Sequence, residues 1–160
     1  MVRILSSPPT RASLRVAIVR ARFNPEVTQR LAAGATATLR AAGVPDGQLF
    51  ELEVPGAVEL AFAADLAIRE LKVDAVVCLG AVIRGETGHY DLVCRIAADT
   101  ISRLALERRV PVIFGVLTCD DEAQALARAG GAQGNKGTDA AQAALDMIDL
   151  SRAVAARRGH

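Results

Sequence analysis

Apolar positions along this chain follow two rhythms. Short apolar runs at residues 16–19, 75–83 and 110–117 read as strands, and residues 49–54 alternate apolar with polar as another. Between them apolar residues recur every three or four positions. Val27, Leu31, Ala35 and Leu39 predict a helix over 26–42, stopped by Gly43 and Pro45. Leu60, Ala64, Ala67 and Leu71 predict a second over 58–71, after a break at Pro55-Gly56. Val93, Ile96, Ile101 and Leu104 mark a third. The unbroken apolar character of 110–117 predicts a strand covered on both faces. Asp120 and Asp121 suit the positive end of a short helix ending near Gly130-Gly131. A last helix, 138–156, follows Gly134-Asn135-Lys136-Gly137.

Four strand-then-helix units of this length imply a parallel sheet with helices on both faces, an α/β fold. Residues 14–160 read as one domain without internal repeats. Residues 1–13, with Pro8 and Pro9, read as a loose arm. In such sheets ligands bind outside the carboxyl ends of the strands. Those ends carry Phe23-Asn24, residues 55–59, residues 84–89 and Thr118-Cys119; Arg128 and Lys136 lie between the last two helices. Asn24-Pro25 suits the start of the first helix.

Composition narrows the function. A net charge of +1 over 160 residues argues for neither nucleic acid nor an anionic membrane surface. The basic end from Arg152 to Arg158 reads as a solvated helix terminus whose cations complement the dipole. Residues 1–14 hold no long apolar segment, so neither a signal peptide nor a span is expected. Three cysteines, Cys78, Cys94 and Cys119, lack CxxC spacing and read as reduced thiols of a cytoplasmic protein. No histidine pair has metal-ligand spacing, so no metal site is expected.

The segment from Cys78 to Arg95 concentrates the candidate chemistry. A strand ends at Arg84-Gly85, a polar turn carries Glu86, Thr87 and His89, and a helix begins. Backbone N–H groups in such a turn can cradle an anion, or Gly85 can serve a tight turn alone. His89 can exchange protons near neutral pH or lie at the surface as a cap. Asp91 can orient that imidazole or complement the helix start. A phosphate here requires Glu86 to offer its backbone and turn its carboxylate away. Phe23 can pack inward or stack on a planar ring, and Glu59 can bind a heterocycle or serve its own helix. Arg128 and Lys136 can be solvated cations or phosphate ligands. There is no GxGxxG after a strand, no phosphate-loop lysine and no GxSxG elbow. The residues alone reach an α/β domain for a small anionic, planar ligand.

Five blocks in order resemble one known family. Ala21-Arg22-Phe23-Asn24, Val54-Pro55-Gly56-Ala57-Val58-Glu59, and the run from Leu79 to Asp91 through Ile83-Arg84-Gly85-Glu86-Thr87-Gly88-His89 look like lumazine synthase. So do the runs from Pro111 to Thr118 and from Glu122 to Gly130, the latter leading to Gly134-Asn135-Lys136-Gly137. The resemblance implies a flavodoxin-like three-layer α/β/α sandwich with a four-stranded parallel sheet. It implies condensation of 5-amino-6-(D-ribitylamino)uracil with 3,4-dihydroxy-2-butanone 4-phosphate to 6,7-dimethyl-8-ribityllumazine, the penultimate step of riboflavin biosynthesis, without metal or organic cofactor. By motif, Phe23 stacks on the pyrimidine. Ala57, Val58 and Glu59 line the pyrimidine and ribityl pocket, and the backbone of Ala81, Val82 and Ile83 reads the uracil edge. Glu86 and Thr87 hold the butanone phosphate, and His89 transfers protons. Phe114 and Arg128 come from a neighbouring subunit, Arg128 on the phosphate, with Lys136 nearby. The implied assembly is a homopentamer or a 60-subunit icosahedral shell, with riboflavin synthase as a further partner.

Val58 stands where this family commonly has Phe, and Ala61 where it often has Pro. A non-catalytic flavin binder or storage shell on the same fold is the alternative; it would not require His89, Arg128 and Lys136 together. A flavodoxin-like redox or signalling domain needs a flavin-phosphate loop or acidic pocket after the first strand, and Arg22-Phe23-Asn24-Pro25 supplies neither.

Overall fold

A computed structural model describes residues 10–159. The elements are β1 (Val16–Ala21), α1 (Pro25–Ala41), β2 (Leu49–Val54), α2 (Leu60–Glu70), β3 (Ala75–Ile83), α3 (His89–Arg108), β4 (Val112–Cys119), α4 (Glu122–Ala127), β5 (Ala129–Gly131), β6 (Gly134–Asn135) and α5 (Lys136–Ala155). The first four strands form one parallel sheet in the order β2-β1-β3-β4, the architecture that the strand-helix alternation predicts.

Alternate residues of each inner strand feed opposite layers, because successive side chains of a strand point to opposite faces. Val16 and Ile18 pack with Leu31, Leu39, Leu145 and Ile148 of α1 and α5. Ala17, Val19 and Ala21 pack with Leu60, Ala64, Ile101 and Leu104 of α2 and α3. The stripe Val27, Leu31, Ala35 and Leu39 is buried throughout, as its spacing requires.

β4 is covered on both faces, as its unbroken apolar run predicts: Val112 and Val116 pack on the α2 and α3 side, Leu117 and Cys119 on the α1 and α5 side. It is also an edge strand, with β3 on one side only, and Phe114 is 41% exposed. Two expectations need correction. The arm is anchored at its end. Arg11–Ser13 forms a single 3-10 turn, and the Arg11 guanidinium donates twice to the Asp149 carboxylate at 2.8 Å. The part of the arm before residue 10 lies outside the described residues. Asn24 and Pro25 open α1 as expected, Asn24 at its N-cap with φ 56° and its carbonyl accepting from the Val27 and Thr28 N–H groups at 3.1 Å. The second correction is that α5 begins at Lys136, two residues earlier than the pattern suggests. Asn135 Oδ1 accepts from the N–H groups of Gly137 (2.8 Å) and Thr138 (3.2 Å), satisfying two donors that a helix start leaves unpaired. The stretch before it, which lacks any strand pattern, forms the antiparallel pair β5 and β6.

Candidate active site

The ladder between β1 and β3 ends at Arg20–Leu79, whereas β3 continues to Ile83 alongside β4. The β1 side of residues 81–83 is therefore without a strand partner. In a parallel strand alternate residues direct both backbone groups to the same edge, so Ala81 and Ile83 share that open side. Asn24 Nδ2 occupies part of it, donating to the Ala81 carbonyl at 2.8 Å. A planar ring with in-plane donors and acceptors can complete the edge as a strand would.

A cleft of about 420 Å³ lies against this edge, lined by Phe23, Asn24, Gly56, Ala57, Val58, Glu59, Ala81, Val82, Ile83, His89 and Val93, with Ala21 beneath. Phe23 stands 70% exposed over it. Gly56 permits this placement, because a Cβ there would come within 3.3 Å of both the Phe23 ring and a Glu59 carboxylate oxygen. The Gly56 N–H donates to Glu59 Oε2 at 3.0 Å. This bond fixes the carboxylate at the cleft while leaving lone pairs for a hydroxyl. His89 opens α3, its N–H bonded to Thr87 Oγ1 at 3.3 Å.

A second concavity of about 480 Å³ runs along the margin of β4. Phe114, Thr118, Cys119, Arg128, Lys136 and Asp139 line it. Arg128 donates to the Gln124 carbonyl at 3.0 Å, and Lys136 pairs with Asp139 at 3.2 Å. The fold thus brings eight predicted residues into the first cleft, Phe23, Ala57, Val58, Glu59, Ala81, Val82, Ile83 and His89, and three into the second, Phe114, Arg128 and Lys136. Glu86 and Thr87 line neither; they sit on the exposed turn between Arg84 and His89. Asn24, Gly56 and Val93 also belong to the first cleft. Their signal in the sequence was position only, at the ends of the first two strands and one turn beyond His89.

Asp91 lies 3.8 Å from the Arg84 guanidinium, complementing that cation rather than the imidazole. Burial pushes the Cys78 thiol up to about 12 and raises those of Cys94 and Cys119, so none is a ready thiolate nucleophile at neutral pH. Among the described residues no three His, Cys, Asp or Glu side chains group as a metal site. No described helix is long and apolar enough to cross a membrane.

A parallel α/β layer with a cleft at its strand carboxyl ends, holding an exposed aromatic ring, a fixed carboxylate and a histidine, defines a small-molecule site of the enzyme type. The profile of the 6,7-dimethyl-8-ribityllumazine synthase family matches residues 13–152. A 6,7-dimethyl-8-ribityllumazine synthase of Bdellovibrio bacteriovorus is 48% identical over 143 residues, 89% of this chain and 78% of that protein. One of Coxiella burnetii is 47% identical over 145 residues, 91% of this chain and 96% of that protein. The chain belongs to the 6,7-dimethyl-8-ribityllumazine synthase family.

Proposed function

We propose that this chain joins 5-amino-6-(D-ribitylamino)uracil to 3,4-dihydroxy-2-butanone 4-phosphate, releasing phosphate and water and forming 6,7-dimethyl-8-ribityllumazine. The observation that carries this reading is the convergence of Phe23, Glu59, His89 and the unladdered end of β3 on one cleft. The Phe23 ring stacks on the pyrimidine, whose edge pairs with the backbone of Ala81 and Ile83, while Val82, its backbone groups turned to β4, lines the cleft. Glu59, held by Gly56, accepts from ribityl hydroxyls, and Ala57 and Val58 form the adjoining wall. The 5-amino group attacks the ketone, water leaves to give an imine, phosphate is eliminated, and the ribitylamino nitrogen closes the ring with loss of a second water. His89 moves the protons. Both substrates are reactive already, so holding them together supplies much of the rate, and the histidine adds a factor of about 10² to 10⁴.

The phosphate falls to the turn at Glu86 and Thr87 and to Arg128. Arg128, Phe114 and Lys136 line a different concavity from His89, so two subunits supply one site: the first cleft of one meets the second concavity of its neighbour. Such head-to-tail contacts close into rings, here a homopentamer that can build a 60-subunit shell, and three free thiols suit the cytoplasm. The test is to mix both substrates with purified protein and follow lumazine absorbance. Turnover above the uncatalysed rate is expected; its absence, with the substrates still bound, would favour a non-catalytic binder instead.

A further inference from the structure

Arg84 sits at the hinge between β3 and the exposed turn at residues 85–88, and three groups surround its side chain. Its Nε donates to Asp120 Oδ1 at 3.0 Å, its Nη1 lies 3.8 Å from Asp91 Oδ1, and its guanidinium carbon stands 4.2 Å from the centroid of the Tyr90 ring. Its backbone N–H donates to the Cys119 carbonyl at 2.9 Å. The turn itself has little else to hold it. Gly85 and Gly88 have open space around them, and within the turn the His89 N–H donates to the Thr87 hydroxyl oxygen at 3.3 Å. Arg84 therefore spans the turn from outside, joining its first residue to the first turn of α3 and to the end of β4.

These contacts are too solvated to serve mainly as stability. The Arg84, Asp91 and Asp120 side chains are 48%, 64% and 66% exposed, and exposed pairs of this kind contribute little to folding. Their placement has a different consequence. Two carboxylates, Asp91 and Asp120, flank the turn on which a dianionic phosphate would settle. Arg84 neutralises them, and its stacking on Tyr90 fixes the residue next to His89. A planar guanidinium can pair with the carboxylates and stack flat on the ring at once; an ammonium is a point charge that cannot stack as a plane.

We propose that Arg84 is a positioning residue of the site: it shapes the 85–88 turn for the phosphate, masks the charges of Asp91 and Asp120, and sets the His89 backbone through Tyr90. This rests on the synthase reading for the identity of the phosphate-bearing substrate. The experiment compares wild type with Arg84→Gln, Arg84→Lys and the double variant Arg84→Gln/Asp120→Asn. It measures KM for each substrate, kcat, thermal midpoint and the affinity for inorganic phosphate. In Arg84→Gln, KM for the phosphate substrate and the dissociation constant of inorganic phosphate should rise about tenfold, as for loss of a charge-assisted contact network. KM for the pyrimidine should stay within about twofold and the midpoint within a few degrees. Removing the unmasked carboxylate in the double variant should recover part of the phosphate affinity. Both Arg84→Gln and Arg84→Lys should lower kcat, because neither restores the planar stacking on Tyr90, while Arg84→Lys should recover the phosphate affinity. Unchanged phosphate affinity in Arg84→Gln, or an equal rise in both KM values, would overturn the proposal. A wild type whose phosphate affinity depends on Arg84 in this way yet turns nothing over would instead count against the synthase reading.

Discussion

Asn24 Nδ2 donates to the Ala81 carbonyl oxygen at 2.8 Å, so the loop that carries Phe23 is tied directly to the strand end that floors the cleft. Asn24 can do this because it adopts φ 56°, a conformation that asparagine tolerates better than most residues. Two costs can then be separated. Asn24→Gly keeps the conformation and loses the bond, costing about 1 kcal/mol of stability. Asn24→Ala loses the bond and also strains the backbone, costing roughly 2 kcal/mol. Chemical denaturation should rank wild type, glycine and alanine in that order, and both variants should raise KM for the pyrimidine more than for the phosphate substrate. An alanine variant as stable as the glycine variant would show that the left-handed backbone carries no cost.

Gly137 sets the distance between the two helices of one layer. A Cβ at 137 would fall on the Leu31 carbonyl oxygen and lie 2.6 Å from its carbonyl carbon. Backbone cannot swing aside as a flexible side chain does, so α5 would have to move bodily, carrying Lys136 with it. Gly137→Ala should cost about 3 kcal/mol or more, the upper end of overpacking. Gly47, where nothing lies within 4 Å, is the control and should tolerate alanine within about 0.5 kcal/mol. Comparable denaturation midpoints for the two alanine variants would contradict this packing.

Asp65 joins α2 to α3. It accepts from Arg69 Nε at 2.9 Å and from Arg108 Nε at 2.7 Å. Partial burial alone would raise its pKa, but the two guanidinium groups outweigh this and hold it below the ordinary carboxylate value of 3.8. A pKa lower in the folded than in the unfolded chain adds stability that is fully present above the unfolded value and disappears as pH falls through the folded one. Asp65→Asn should therefore cost about 1 kcal/mol at pH 7. The difference from wild type should shrink as pH drops below about 4. Parallel stability curves from pH 7 to pH 2 would rule out the ionised carboxylate as the cause.

Much of the fold was legible because periodicity reports burial directly. Val27, Leu31, Ala35 and Leu39 had to share a face, the run 75–83 had to be a strand, and 110–117 had to be a strand covered on both faces. Which of the two lies at the sheet edge was not legible, since a continuous apolar run looks alike in a central strand and in an edge strand whose Phe114 is left open. The pair β5 and β6 carried no signal because Gly-rich segments of two or three residues have no period. Within the site, Phe23, Glu59 and His89 were visible as chemistry at strand ends. Their supports were not: Asn24 reaches Ala81 across 57 positions, and Arg84 reaches Asp120 across 36. Such contacts are products of the β1-β3-β4 adjacency, which local sequence does not encode.

The central claim is that the cleft holding His89 and the concavity holding Arg128 form one site across two subunits, and subunit complementation tests it most directly. His89→Ala and Arg128→Ala proteins should each be impaired, the first about 10²-fold in kcat and the second through a raised KM for the phosphate substrate. When the two are co-expressed at equal levels, random assembly leaves about one contact in four with both wild-type faces apposed. Activity at limiting phosphate substrate should then recover to roughly a quarter of wild type. Mixed assemblies no more active than the average of the two separate variants would contradict a shared site.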